Sequence, residues 1–406
     1  MRTQRVLWIK VGGLWPLNTG GRLRSFHILS ELSRTHRVTL LTTHGDGDDP
    51  EGLVARLPNC ERIASFPHGI PKHGSIRFAA AVMGSWLSRE PVDIWKCRVP
   101  ALRREARRLI AAGGVDLCIA DFLAATPNVP LSSRVPIVLF AHNVEHVIWK
   151  RLSTVEIRPW RRLALEGEWR KMRRSEARAC AQASLTVAVS EVDRTLLAGN
   201  APDAHVRAIP TGVDTVYFAP NAGRETPTHL VFTGSMDWYP NDDAMLHFID
   251  AVLPRIRRAV PDTTLTVVGR RPSSRLRSVA AGAGVRVTGT VDDVRPYMSE
   301  AAVYVVPLRV GGGTRLKIFE ALAMGKAVVS TGVGAEGLPV VPGKHFVQAD
   351  DPSAFAGAVV SLLGDANRRR ALGSDGRRLV EERYSWPQVA REFSAICEEV
   401  VAHHAH

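Results

Sequence analysis

The stretch VYVVPLRVGGGTRLKIFEALAMGKAVVS, Val303 to Ser330, decides the fold. Its first run, Val303 to Leu308, is short, apolar and rich in β-branched residues, the composition of a buried strand. From Thr314 to Met324 the apolar residues Leu316, Phe319, Leu322 and Ala323 fall at helical spacing. Thr314 suits an N-cap, and Gly325 stands where a helix end calls for a left-handed residue. KAVVS then reads as a second buried strand. The unit is strand, glycine loop, helix, strand.

The same alternation runs outward in both directions. Before it, RVLWIKV, HRVTLLTT, VDLCIADF, RVPIVLFAH and ASLTVAVSE read as strands. GGRLRSFHILSELSRT reads as a helix with Leu23, Phe26, Leu29 and Leu32 along one stripe, and the charged segment before Ser184 as another. Between residues 201 and 229 the chain turns rich in Pro, Asn, Gly and Thr, as a hinge would. Alternation then restarts. HLVFTG, TTLTVVG and GVRVTGTV read as strands, Asp242 to Val260 as a helix kinked or split by Pro254, and DDVRPYMSEA as a short helix. Two helical stretches, Pro352 to Leu363 and Trp386 to His406, end the chain. The pattern predicts an α/β protein of two Rossmann-like, doubly wound domains facing across a cleft. Their expected bounds are 1–200, with the helix 386–406 packing back on it, and 201–385.

At 406 residues the chain exceeds what one core supports, which agrees with two domains. Hydrophobic content of 45% and charged content of 23% are those of a soluble globular protein. The five cysteines are scattered without metal-ligand spacing, which predicts reduced thiols and a cytoplasmic location. RVLWIKV is too short for a secretory signal and is interrupted by Lys10, and FAAAVMGSWL, Phe78 to Leu87, is about half the length a bilayer needs. The formal charge is +13, and Lys150 to Arg178 holds ten Lys or Arg against four Asp or Glu. Basic surface with interleaved tryptophans serves nucleic acid, anionic lipid or a phosphorylated substrate, or is a solvated helix face. No nucleic-acid motif is present, so a nucleic-acid partner is not expected, whereas an anionic membrane surface is.

Glycine loops of this kind have a chemistry. Without Cβ atoms the backbone approaches a ligand closely, and the helix that follows offers unpaired N–H groups and partial positive charge. Gly312, Gly313 and Thr314 would cradle a phosphate or diphosphate, with Arg315 and Lys317 adding full charges. Glu320 follows about two turns into the helix, roughly 9 Å along the axis, where a carboxylate can accept bonds from ribose hydroxyls. The stretch lacks the G-x-x-x-x-G-K-[ST] of a P-loop, and Leu316 occupies the third glycine position of the dinucleotide fingerprint.

These residues, with others, resemble the retaining glycosyltransferases of family 4, which have the two-domain GT-B fold. PLNTGGRLRSFHILSELSRTHRVTLLT resembles the family's N-terminal glycine loop, FAHNVEH its histidine loop, and IPTGVDTVYF its Pro-Asn-Gly-Val-Asp segment with Thr211 for Asn. HLVFTGSMDWYPN and LTVVGR are similar to its nucleotide-side strands, and the opening stretch to its two glutamates separated by seven residues. The resemblance covers nearly the whole chain and implies a nucleotide-sugar donor bound by the C-terminal domain. Gly234 and Gly269 would lie at strand ends beside it. Gly20, Gly21 and His142 would face it from the N-terminal domain, which would also hold a glycan or lipid-linked acceptor. It implies retention of configuration and no obligatory protein nucleophile, and the residues themselves call for no metal. Two departures stand out: Gly312 replaces the first glutamate, and Ser235 and Pro240 replace an Arg and a Lys that hold the pyrophosphate. Arg315 and Lys317 are the expected substitutes. The variant looks most like the bacterial branch that builds exopolysaccharides and envelope glycans. A nucleotide-sugar epimerase of the same fold, and a non-catalytic binding protein that kept it, are the alternatives.

Three further motifs compete. HNVEH, His142 to His146, matches an inverted zinc-protease motif, which must lie inside a helix, yet His142 directly follows a strand-like run. Asp46 to Asp49 contain Asp-x-Asp and read as a solvated turn. The terminal HHAH reads as a frayed end.

Overall fold

The computed structural model describes residues 3–17, 19–71, 75–130, 134–156, 158–221, 225–310 and 316–404. The chain divides into two compact units, one of residues 1–210 with 389–406 and one of 211–388.

The first unit carries seven strands: β1 (Arg5–Lys10), β2 (Arg37–His44), β3 (Arg62–Pro67), β4 (Leu117–Asp121), β5 (Ile137–Phe140), β6 (Leu185–Ala188) and β7 (Val206–Ala208). They pair in parallel in the order β3-β2-β1-β4-β5-β6-β7. Strands covered on both faces read as continuous apolar runs, and Leu7, Trp8, Ile9, Cys118, Ile119 and Val138 are fully buried. Its principal helices are α1 (Gly20–Leu32), α2 (Ile76–Trp86), α3 (Pro100–Ala111) and α4 (Pro159–Gln182). The second unit has six strands, β8 (Thr226–Thr233), β9 (Thr264–Val268), β10 (Arg286–Val287), β11 (Ala301–Val306), β12 (Ala327–Ser330) and β13 (Val347–Gln348). They too are all parallel, in the order β10-β9-β8-β11-β12-β13. Here α5 (Leu316–Ala323) follows β11 and α6 (Ala366–Arg383) packs on it. The chain closes with α7 (Trp386–His404).

Several elements depart from the sequence pattern for identifiable reasons. The helix expected over Asp242–Val260 becomes Tyr239–His247, a π-helical turn Phe248–Val252, and Leu253–Ala259. Pro254 cannot donate, and the Leu253 N–H reaches back five residues to the Phe248 carbonyl as the ladder adjusts before it. Only Arg286 and Val287 of GVRVTGTV pair in the sheet, because Gly289 takes φ +74 and turns the chain away. α6 was not anticipated, since its two inner glycines read as breaks. A Cβ on Gly373 would stand 2.0 Å from the Gly325 carbonyl oxygen, and one on Gly376 2.5 Å from Leu322. Glycine is what lets α6 lie directly on α5 and the turn behind it. Gly325 itself takes φ +65 and ends α5, with the Lys326 N–H donating to the Ala321 carbonyl at 3.0 Å.

Candidate active site

In an all-parallel sheet every strand ends at the same edge, and ligands gather where strand order reverses. In the second unit the reversal falls between β8 and β11. The turns after β8 and β9 meet there. The Gly234 N–H donates to the Val268 carbonyl at 2.9 Å, and the Met236 N–H to the Arg270 carbonyl at 2.9 Å. Gly269 takes φ +156, and a Cβ on it would stand 1.7 Å from the Gly234 carbonyl oxygen, so only glycine fits. Gly312, Gly313, Thr314 and Arg315 lie outside the described residues. α5 begins directly after them, and Lys317 stands on its first turn.

The Lys317 Nζ donates to Asn241 Oδ1 at 2.7 Å and sits 4.1 Å from the centre of the Phe232 ring. Asn241, itself buried, donates its Nδ2 to the Ser235 carbonyl at 2.9 Å. The turn after β8 thus fixes the ammonium group in place. Gly234 lies against both: a Cβ there would stand 2.7 Å from Asn241 Nδ2 and 2.8 Å from Lys317 Nζ. Glu320 lies three residues on, half-buried, and its carboxyl has no hydrogen-bond partner among the described residues. Burial pushes it up to about 7, against the opposing pull of Lys317. Beneath it the Tyr304 and Thr233 hydroxyls share a hydrogen bond, and burial holds the Tyr304 proton tightly.

Sequence reasoning missed Asn241 and Arg270. At Ser235, where the resemblance leaves an arginine wanting, Arg270 Nε donates to the serine Oγ at 2.6 Å. The serine in turn donates to Asp237 Oδ1 at 2.6 Å, and Arg271 pairs with the same carboxylate at 3.3 Å. Arg309, just past β11, pairs with Asp243 at 2.7 Å. The signal was available in the run Gly269-Arg270-Arg271 directly after a strand, but which turn it faces depends on the strand order.

In the first unit the order reverses between β1 and β4, and charged residues end both strands. Asp121 is fully buried. It accepts from Trp8 Nε1 at 3.0 Å, pairs with Lys10 at 3.2 Å and meets His142 Nε2 at 2.7 Å. Lys10 Nζ also donates to Ser25 Oγ at 3.0 Å. Arg24 Nη1 lies 3.2 Å from His142 Nδ1. A guanidinium only donates, so Nδ1 accepts and the Nε2 proton goes to Asp121; the ring is neutral. Burial pushes His142 down to about 3 despite Asp121. Its ring is 4% exposed and stacks on Phe122 at 3.7 Å. His142 therefore meets Arg24 and Asp121 with its two nitrogens, not open space. Gly21 packs against the same ring: its Cβ would stand 2.4 Å from Phe122 Cζ. Gly20, exposed, is the first residue of α1, whose N-cap Thr19 accepts from the Arg22 N–H at 3.3 Å.

The competing motifs find structural uses. His142 precedes the helix Glu145–Val155, so HNVEH is not a zinc helix, and His146 pairs with Glu176. No group of three or more His, Cys, Asp or Glu positioned for a metal occurs among the described residues. Asp48 pairs with Arg22 at 2.7 Å and Asp49 caps the helix Pro50–Arg56.

Comparison with known proteins places both halves. The family described as Glycosyltransferase Family 4 matches residues 95–217, and that described as Glycosyl transferases group 1 matches residues 227–365. A phosphatidyl-myo-inositol mannosyltransferase of Mycolicibacterium smegmatis is 31% identical over 206 residues, 47% of this chain and 51% of that enzyme. The chain spans about half the length of the curated mannosyltransferases it matches. Among solved structures, sucrose-phosphate synthase of Thermosynechococcus elongatus superposes with a TM-score of 0.70 at 17% identity, covering 98% of this chain and 100% of that one. Anabaena HepE in complex with UDP superposes at 0.66 and 14% identity, covering 97% and 100%. The chain thus carries one domain matched by the family 4 glycosyltransferases and one matched by the group 1 glycosyl transferases, on the fold shared with these GT-B structures.

Proposed function

We propose that the protein transfers a sugar from a nucleoside diphosphate sugar to a hydroxyl of a glycan or lipid-linked acceptor, with retention of configuration. The observation that carries this reading is the pairing on α5 of an anchored cation, Lys317, with a carboxyl, Glu320, that has no hydrogen-bond partner among the described residues, at the strand reversal. Lys317 and the amino end of α5 would receive the diphosphate, with Arg315 beside them and Arg270 standing in for the arginine absent at position 235. Glu320 would accept from the ribose hydroxyls. The reaction then needs no protein nucleophile: the unit holds the donor in place and stabilises the charge that develops on the departing diphosphate. The first unit would hold the acceptor, with His142 acting through Arg24 as a positioning residue. The UDP bound to HepE and the lipid substrate in the mannosyltransferase's name support a nucleotide donor and a lipid-linked acceptor. The test is calorimetry with UDP and GDP, then incubation of the corresponding sugars with acceptor pools and NMR of the product's anomeric proton. Release of nucleoside diphosphate only when acceptor is present, with the donor's anomeric configuration kept, is the expected result. Conversion of donor to an epimer without acceptor would replace the reading.

Glu320 makes this binding pH-dependent. Its folded value of about 7 lies above the ordinary 4.5. The folded chain therefore holds more protons between those values, and the stability this group contributes is lost as pH rises through 7. Ionisation has the opposite effect on the ligand, because a carboxylate accepts ribose hydrogen bonds more strongly than a carboxylic acid. Nucleoside diphosphate affinity should rise as pH passes about 7, and Glu320→Gln should abolish that rise. An identical pH profile in the variant would remove Glu320 from the ribose site.

We also infer reversible attachment to anionic membrane through the first unit. No helix among the described residues is long and apolar enough to cross a membrane. Of the tryptophans in and just before the basic segment, Trp160 is exposed, whereas Trp149 packs on the core and Trp169 lies under Lys150. α2 presents the more apolar face: Ile76, Met83, Trp86 and the adjoining Leu87 are exposed, Leu87 at 93%. Exposed apolar side chains beside Arg and Lys suit the headgroup region. Sedimentation with phosphatidylglycerol vesicles should fall as salt rises, and fall further in Met83→Ser/Trp86→Ser or in Arg161→Gln/Arg162→Gln. Equal sedimentation with neutral vesicles would end this reading.

A further inference from the structure

A second concentration of positive charge lies in the first unit and shares no residue with the Asp121 network. Arg98, Arg103, Arg107 and Arg178 line a cavity of about 420 Å³ in which Glu90 is the only carboxylate among the described residues. Arg103 and Arg107 stand four residues apart on α3 and so project from one face, where like charges repel. The acid between them does not relieve this. Glu105 is taken by Arg62 at 2.8 Å and Arg108 at 2.7 Å. Among the described residues Arg98, Arg103 and Arg107 form no ion pair. Arg98 stacks 3.8 Å over the Trp95 ring, which fixes its guanidinium without neutralising it. Glu90 lies 3.5 Å from Arg178 and accepts from Ser175 Oγ at 3.4 Å, so its charge is already used. The lining is left with three exposed guanidinium groups that form no ion pair among the described residues.

Guanidinium forks match the oxygens of a phosphate, and a single carboxylate would leave most of this charge unbalanced. We propose that the groove is a second oxyanion site, distinct from that at α5, for a ligand bearing a phosphate or diphosphate group. Two sources share that chemistry: a soluble phosphate ester and a lipid headgroup. The second fits the surroundings, because Glu90 follows Trp86 and Leu87, the exposed apolar end of α2, by three to four residues.

The test uses the full chain and inorganic pyrophosphate in titration calorimetry. The parent should bind at two sites. Arg103→Gln/Arg107→Gln should weaken one of them about tenfold or more, as expected for loss of charged hydrogen bonds, and leave the other. Lys317→Ala reports on the α5 site alone, so failure there touches the proposed donor site and not this one. Arg255→Gln/Arg258→Gln, on the helix Leu253–Ala259 of the second unit, controls for general charge and should bind as the parent does. Melting of the groove variant without ligand should match or exceed the parent, since a repelling pair has gone. Unchanged pyrophosphate binding in Arg103→Gln/Arg107→Gln, or an equal loss in the control, overturns the proposal. Phosphatidylcholine vesicles with and without phosphatidic acid then distinguish the sources. Loss of phosphatidic-acid-dependent sedimentation in the groove variant assigns the headgroup, and parent-like sedimentation with lost pyrophosphate binding assigns the soluble ester.

Discussion

Lys317→Ala should lower turnover by about 100- to 1000-fold, the loss typical when one preorganised donor to a developing anion is removed. The ammonium sits where Asn241 and the Phe232 ring hold it, so the group needs no reorganisation as the diphosphate departs. Binding of a nucleoside without phosphate should be unchanged, because Lys317 has nothing to contact in it. Gly234→Ala offers the same test without touching the charge. Its new methyl would stand within 3 Å of both the lysine and the asparagine, and the flexible lysine is the partner that gives way. The variant should keep its fold and lose turnover through a displaced cation. Steady-state kinetics together with calorimetry against nucleoside and nucleoside diphosphate check both variants, and equal losses of affinity for the two ligands would remove Lys317 from the phosphate site.

Asp121→Ala should destabilise the first unit by about 3–5 kcal/mol, the range for removing one partner of a buried ion pair. Lys10, itself 2% exposed, would be left without its carboxylate, and Trp8 Nε1 and His142 Nε2 would lose their acceptor. Hydrogen exchange of the β1 and β4 amides reads this locally, which matters in a chain of two units that need not unfold together. The neutral His142 adds a pH dependence. Its folded value of about 3 lies below the ordinary 6.5, so the unfolded chain binds more protons between them. Stability of this unit should fall as pH drops from 6.5 towards 3. Protection of β1 and β4 that stays constant from pH 7 to about 5 would show that the ring protonates in place.

The strand and helix alternation was legible because parallel strands are buried on both faces, and Val303 to Val306 or Val138 to Phe140 admit no other reading. α6 was not, because Gly373 and Gly376 are read locally as breaks while their use is contact with Gly325 and Leu322, some fifty residues away. The same limit applies to function. Lys317 and Glu320 could be found from their spacing after a glycine loop. Asn241 and Arg270 could not, since each works by reaching the turn of another strand. Lys10 and Asp121 were visible as charges ending apolar strands in WIK and IAD, but their pairing across β1 and β4 follows only from strand order. For His142 the sequence offers a polar residue at a strand end, and nothing local distinguishes a ligand contact from a ring enclosed by Asp121, Arg24 and Phe122.

α7 starts among residues 211–388 and finishes in the other unit, where Phe393 packs 6.0 Å from Trp8 and 5.0 Å from Phe140, and Ser394 meets His36 at 2.7 Å. On a ribosome this imposes an order. The second unit is contiguous and can close as soon as it has emerged, whereas the first, although made earlier, waits for residues 389–404 to fill the space beside Trp8. A released chain that ends before Phe393 should hold a protease-resistant second unit and a protease-sensitive first one, so the earlier-synthesised half matures last.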